Sequence, residues 1–199
     1  MARTINGKGA VERREEILRA AIKVFASKGY FNSKVADIAA QAKIADGTVY
    51  LYFKGKEHIL HSIFDRAMER FISEGKEELA KLGSAEKKLR RIAELHLERM
   101  SADKNLAIVF QVQLRASIKF MREFSSAGFA QYLEIIREAF EEGQKMKVFK
   151  KDLSPVVCSK IFFGALDEMV TNWILSGRKY ELRPMADEVM KVFMHGVAA

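Results

Sequence analysis

The sequence predicts an all-α protein of about nine helices in two parts, on three observations. Apolar residues recur at i, i+3, i+4 and i+7 through most of the chain. The long stretches are rich in Ala, Leu, Ile, Glu, Lys and Arg, all good helix formers. The only two prolines, Pro155 and Pro184, lie in the C-terminal part, where each stands at the start of a periodic stretch. A chain of 199 residues can hold a small domain and a medium one, each with its own core.

Residues 1–10 are small, polar and basic, as in a loose arm. From Val11, the positions Ile17, Leu18, Ala21, Ile22, Val24 and Phe25 form one apolar stripe, and Gly29 ends this first helix. Ser33 is placed to cap a short second helix with the stripe Val35, Ile38, Ala39 and Ala42. Lys43 and Ile44 make a turn, and a third helix spans 45–53. The fourth, long helix buries Leu60, Ile63, Phe64, Ala67 and Phe71 and joins the two parts. Beyond the Gly83-Ser84 break, helices are expected at 84–101, 104–119, 125–146, 155–177 and 184–197. The expected division is a head at 1–55 and a larger domain at 56–199.

The formal net charge is +8, and residues 1–60 carry eleven Lys/Arg against six Asp/Glu. A basic amino-terminal third suggests an anionic partner. The one cysteine, Cys158, has apolar neighbours and no mate for a disulfide. With no secretory-type apolar run and no stretch long enough to span a bilayer, a cytoplasmic protein without membrane contact is expected. Enzyme signatures are poor: there is no phosphate loop, no nucleophile elbow and no CxxC pair. His58, His61 and Asp65 fall at i, i+3 and i+7, but two His and one carboxylate at a domain junction more often solvate a helix than bind metal. No cofactor or metal site is expected, and the chain does not read as an enzyme.

Residues 34–53 have the layout of two short helices about a tight turn, which can set the second helix into a DNA major groove while the first crosses the backbone. Val49 and Phe53, four apart, can face the core, leaving Thr48, Tyr50 and Tyr52 to offer hydroxyls to phosphates or base edges. Gly47 permits close approach, and Lys54 and Lys56 are placed to neutralise phosphates. Spacing alone leaves an ordinary helical bundle open. Ile17 to Phe25, Gly29-Tyr30, ValAlaAspIleAlaAlaGlnAla, and AspGlyThrValTyrLeuTyrPheLysGlyLysGlu together resemble the helix-turn-helix of the TetR family over about forty-five residues. The resemblance implies a homodimeric repressor that reads double-stranded operator DNA with its third helix. It gives Ser33, Lys34, Ala45, Asp46, Gly47, Thr48, Tyr50, Leu51, Tyr52, Lys54 and Lys56 as the DNA-binding set. Ala45 and Asp46 depart from the family pattern of a Ser or Thr cap followed by a polar residue. Asp46 repels phosphate, yet near a helix N-terminus it suits the dipole and can accept from cytosine N4.

AsnLeuAlaIleValPheGlnValGlnLeuArg at 105–115 and PhePheGlyAlaLeuAspGluMetValThrAsnTrp at 162–173 resemble the acyl-CoA-responsive fatty-acid-degradation repressors of Bacillus-type bacteria. That likeness implies long-chain acyl-CoA as inducer. The expected ligand walls are Leu106, Val109, Phe110, Gln113 and Leu114 on one face and Phe162, Leu166, Met169, Val170 and Trp173 on another. Such stripes are more often core than pocket. Gln113, a carboxamide on an apolar stripe, needs a partner, which is either a ligand carbonyl or a backbone group. Arg115, Lys119 and Arg122, spaced by four and three, can share one helix side and meet the CoA phosphates. The last two helices have apolar faces broad enough for both the monomer core and a two-fold interface, with Val189 and Phe193 as the expected contact positions. Two other functions stay open: a TetR-type repressor of a multidrug efflux system, and a helical lipid-binding protein or enzyme unconnected with DNA.

Overall fold

In a computed structural model, described over residues 7–124, 127–177 and 180–199, the chain is helical with no strand among the described residues. The arm expected at 1–10 falls mostly on residues 1–6, which lie outside the described residues. Helix α1 begins at Lys8, earlier than expected, and runs Lys8–Lys28, with Ile17, Leu18, Ala21 and Phe25 fully buried along one stripe. Gly29 stops it: at φ 80 and ψ 151 its amide still bonds the Phe25 carbonyl while the chain turns away.

Helix α2, Val35–Ala42, begins from Lys34, not from Ser33. The Asp37 carboxylate takes over the capping work that Ser33 was expected to do, accepting from the Lys34 amide at 2.8 Å and from Lys28 Nζ at 2.6 Å. Helix α3, Asp46–Tyr50, follows a turn in which Lys43 adopts the left-handed conformation at φ 56. It is shorter than the expected 45–53, with Leu51 and Tyr52 in the turn that follows. Ile38, Ala39, Val49 and Phe53 seal these helices against α1 and against Ile59 and Leu60 of α4, Lys56–Leu79. Each large side chain fully buried here, Ile38, Val49 or Phe53, contributes about 1.5–3 kcal/mol, so the short helices are held by packing, since five to eight residues have little helix stability of their own.

Helix α5, Ala85–Ala102, starts from Ser84, whose hydroxyl accepts from the Lys87 amide. The segment expected as one helix at 104–119 is broken. Helix α6, Lys104–Ile108, capped by Asp103, runs into a π turn at Val109–Gln113 and a 3-10 turn at Leu114–Ala116, and the extended Ser117 separates it from α7, Ile118–Phe124. This break raises the number of α-helices among the described residues to ten. Helix α8, Ala127–Lys145, lies between α5 and α9, Pro155–Leu175, and α10, Met185–Val197, packs on α5 and α9.

The chain end is pinned to the turn after α8. Lys150 donates its amide to the Val197 carbonyl at 2.9 Å, Phe149 bridges Ala198, and the Phe149 ring is buried against Gly143 and Phe140. A Cβ on Gly143 would lie 2.1 Å from the Phe149 ring. Gly143→Ala is therefore expected to destabilise the protein by about 2 kcal/mol through overpacking and to lower the thermal midpoint by about 4–8 °C. Differential scanning calorimetry checks it, with Gly164→Ala, whose Cβ would meet nothing within 4 Å, as the control.

Candidate functional site: a reading head and a cavity that share a wall

Helix α3 shows two faces. Val49 and, beyond the helix end, Phe53 anchor it in the core, while Tyr50 and Leu51 stand out at 58% and 66% exposure. Lys34, Ala45, Asp46, Gly47 and Lys54 are also exposed, and Thr48 and Tyr52 are half-buried beside them. Lys43, at the turn itself, adds an exposed cation that the sequence reading used only as a turn residue.

Two residues of the expected DNA-contacting set are turned inward. Ser33 is 3% exposed and its hydroxyl donates to the Gly29 carbonyl at 2.6 Å. The Lys56 ammonium lies over the Tyr30 ring, 4.4 Å from its centre, and donates to the carbonyls of Tyr30 at 2.7 Å and Ser33 at 2.9 Å. Burial holds its pKa below the usual lysine value. Lys56 thus closes the loop after α1, a role invisible in sequence because the carbonyls it meets are more than twenty residues away. His58 is also engaged locally: Nδ1 accepts from the Lys54 amide at 3.1 Å. Among the described residues no group of three or more His, Cys, Asp or Glu could hold a metal.

The head is joined to the rest of the chain at several points. Gln113 Oε1 accepts from the buried Tyr30 amide at 2.7 Å, so the carboxamide singled out in sequence is satisfied by backbone and not by a ligand. Phe120 of α7 meets Tyr30 edge-on at 4.9 Å and stacks on Phe31. Arg14 donates to Ser62 at 2.9 Å and Arg66 pairs with Glu15, while just beyond the head Lys119 of α7 pairs with Glu57 of α4 at 2.6 Å.

Directly behind these contacts lies a cavity of about 680 Å³, in the range of small-molecule sites. Leu18 and Ile22 of α1 form part of its wall, together with Ile63, Phe64, Ala67, Met68 and Phe71 of α4 and with Leu106, Phe110 and Leu114. Of the expected ligand residues, Leu106, Phe110, Leu114 and Arg115 line it. Val109 is fully buried on the other side of the π turn.

On α9 the expected stripe faces the wrong way. Phe162, Leu166 and Val170 are fully buried core residues, with Phe162 packed on Phe140 and Phe193, whereas Phe163 and Asp167 line the cavity. A shift of one position turns a side chain about 100° round a helix, and hydrophobicity does not tell one buried face from another. Met169 packs on the core, and Trp173 donates its indole N–H to the Tyr180 carbonyl at 3.1 Å. The Arg115, Lys119 and Arg122 cluster is dispersed, because the helix they were expected to share ends at Ser117. Arg115 pairs with Asp167, Lys119 reaches Glu57, and Arg122 stands exposed on α7.

Besides Arg115, the cations at the cavity are Arg19, Arg66, Arg70 and Arg99, from α1, α4 and α5. Glu74 holds both Arg70, at 2.9 Å, and Arg99. Among the described residues Arg19 has no acidic partner. These four were missed because they come from three helices, each reading as an ordinary solvated face.

One wall is polar. Asp167 accepts from Gln111 Nε2 at 2.7 Å and pairs with Arg115, and Thr171 donates to Gln111 Oε1 at 3.2 Å. Beside them His96 Nδ1 lies 3.0 Å from the Tyr132 hydroxyl. Burial pushes the His96 pKa down to about 4, with nearby Asp167 acting in the opposite sense, and pushes the Tyr132 phenol up.

A helix-turn-helix head sharing a wall with a hollow helical domain defines a one-component transcription regulator, with a nucleic-acid surface at one end and a small-molecule site behind it. Residues 17–63 match the family described as bacterial regulatory proteins, tetR family, and residues 64–196 match the YsiA-like protein C-terminal region. The chain belongs to the TetR family. It is 36% identical over 182 residues to the fatty acid metabolism regulator protein of Bacillus subtilis, spanning 92% of this chain and 94% of that one. The crystal structure of the transcriptional regulator FadR from Bacillus subtilis in complex with stearoyl-CoA superposes with a TM-score of 0.87 at 35% identity, over 92% of this chain and 98% of that one. The fatty acid degradation regulator FadR from Bacillus halodurans gives 0.89 at 34% identity, over 96% and 97%.

Two measurements follow from this geometry. Tyr50→Ala should weaken operator binding in fluorescence-anisotropy titrations while leaving the thermal melt unchanged. Lys56→Ala should lower the melt as well, by several degrees, since it orphans backbone carbonyls at a cost of about 1–3 kcal/mol.

Stability should also fall in acid. The unfolded chain protonates His96 near pH 6.5 and the folded one near 4, so stability present above 6.5 is lost as pH drops through this window, by about 3 kcal/mol in full. His58, lowered by its own burial, acts in the same sense. Urea midpoints between pH 7 and 5, above most of the carboxylate range, should slope less in His96→Gln than in the unmodified protein.

Proposed function

We propose that this protein is a homodimeric repressor of fatty acid degradation genes, released from double-stranded operator DNA by long-chain acyl-CoA. The observation that carries the reading is the shared wall: a cavity of about 680 Å³, apolar over most of its surface and ringed by five arginines, has α1 of the head as one side. An acyl chain filling the cavity presses on Leu18 and Ile22, and phosphates at Arg19 and Arg66 compete with Glu15 for the link between α1 and α4. Both act on the orientation of the head, which gives the ligand a different affinity for DNA-competent and DNA-incompetent arrangements. The similarity to the Bacillus regulators, one of them bound to stearoyl-CoA, supports the same ligand class here.

The DNA-reading surface on this proposal is Lys34, Ala45, Asp46, Gly47, Thr48, Tyr50, Leu51, Tyr52 and Lys54. On this reading residues 1–55 form the DNA-binding head and residues 56–199 hold ligand and partner. Val156, Val157 and Ile161 of α9 and Val192 of α10 are exposed apolar residues suited to a two-fold contact. Val189 and Phe193, the positions expected from sequence, face the monomer core instead. No helix among the described residues is long and apolar enough to cross a membrane. The protein acts in the cytoplasm by binding alone, without catalysis.

The aromatic wall with Asp167 is the feature that favours the runner-up, a sensor of cationic drugs, but Arg115 already neutralises that carboxylate. Operator release titrated with acyl-CoAs of increasing length should show affinity rising with chain length, each buried methylene adding about 0.8 kcal/mol, to a plateau where the cavity is full. Release by cationic drugs with no response to any acyl-CoA would overturn the reading.

A further inference from the structure

Among the described residues, the cavity wall carries one buried side-chain hydrogen-bonding atom that the protein does not satisfy. His96 is 94% buried and lines the cavity, and its Nε2 has no partner. The other ring nitrogen settles the tautomer. Nδ1 faces the Tyr132 hydroxyl at 3.0 Å, and no second acceptor for that hydroxyl lies among the described contacts. The hydroxyl therefore donates to Nδ1, which leaves the ring proton on Nε2; the opposite arrangement would orphan the phenolic proton in a fully buried site. Burial keeps the ring neutral, so Nε2–H is a single, directed donor. Beside it, the polar groups on this side of the wall are committed to one another: Gln111 and Arg115 to Asp167, Thr171 to Gln111. Phe71 and Phe163 flank the imidazole edge-on, so water has little to bind beside it.

A cavity meant only for hydrocarbon has no use for a buried donor. We propose that His96 Nε2–H donates a hydrogen bond to an oxygen of the bound acyl ligand, which makes His96 the residue that selects ligands carrying that oxygen over equally long ones lacking it. The inference rests on the acyl-CoA reading and adds to it where on the ligand the protein looks. Two sources of oxygen share this chemistry: the thioester carbonyl, and a hydroxyl or keto group further along the chain.

The test compares three ligands on the unmodified dimer: hexadecanoyl-CoA, the thioether S-hexadecyl-CoA, which lacks the carbonyl, and 3-hydroxyhexadecanoyl-CoA. If the thioester carbonyl is the acceptor, the thioether binds on the order of tenfold more weakly than the thioester. If the oxygen sits on the chain, thioester and thioether bind alike and the hydroxyacyl form binds on the order of tenfold more tightly than either. In either case the discrimination disappears in His96→Phe and is retained in His96→Gln, whose amide still offers a donor, a pattern that a packing role would not produce. Should His96→Phe fail to fold, nitrogen-15 spectra of the labelled histidine in the unmodified protein replace it. The Nε2–H resonance should move downfield with the oxygen-bearing ligand and stay with the other. Ligand ratios that are the same in the His96→Phe variant as in the unmodified protein, or an Nε2–H signal indifferent to the ligand, overturn the inference and leave the acyl-CoA reading standing. Failure of all three ligands to bind overturns both.

Discussion

Where α1 ends, the amide of Tyr30 points into the core with no carbonyl of its own helix to meet, and a side chain from another part of the chain supplies the acceptor. That acceptor is Gln113, and the bond spans 83 positions. The surroundings depend on it. Tyr30 packs on Phe25 and Phe120, its carbonyl receives Lys56, and its ring lies under the same ammonium. An unmet buried amide is costly, so the head cannot swing away from the regulatory domain without replacing this bond. The position of the reading helix is in this way tied to the π turn at Val109–Gln113.

The π turn faces two ways. Gln113 reaches the head, while Gln111, two residues earlier, reaches Asp167 in the cavity wall. A π turn widens the helix by one residue, and such turns often occur at functional sites because they re-aim neighbouring side chains. An occupant that disturbs Asp167, Arg115 or Gln111 acts on the same short segment that holds Tyr30. Leu18 and Ile22 offer a second, purely steric connection, since they belong to the core of the head and to the cavity wall at once. Coupling here needs no long pathway, because one helix is common to both functions.

The charges follow a similar logic. Arg66 and Arg99 at the cavity are held by Glu15 and Glu74, so they are ordered and already paired before any ligand arrives. On the proposed function, a ligand phosphate would exchange one anion for another at little desolvation cost, and exchange at Arg66 would loosen its bond to Glu15 of α1. Partly exposed pairs of this kind add little to stability, which leaves them free to serve as exchangeable contacts.

Sequence alone determined the helical class, the head with its exposed Tyr50 and buried Val49, and the membership of the chain in a family of DNA-binding regulators. These are properties of local period and of a contiguous motif, and local rules suffice for them. It did not determine which faces of α9 and α6 open on the cavity, because Phe162 and Phe163 are equally apolar and only the packing of α5 and α8 decides which of them meets empty space. Nor could it place the arginines outside the expected cluster, the Tyr30–Gln113 bond or the role of Lys56, which bring together residues far apart in the chain. The sharpest case is His96: in sequence it is one histidine on an amphipathic helix, and only burial beside Tyr132, with one nitrogen used and one left over, makes it a candidate for recognising a ligand.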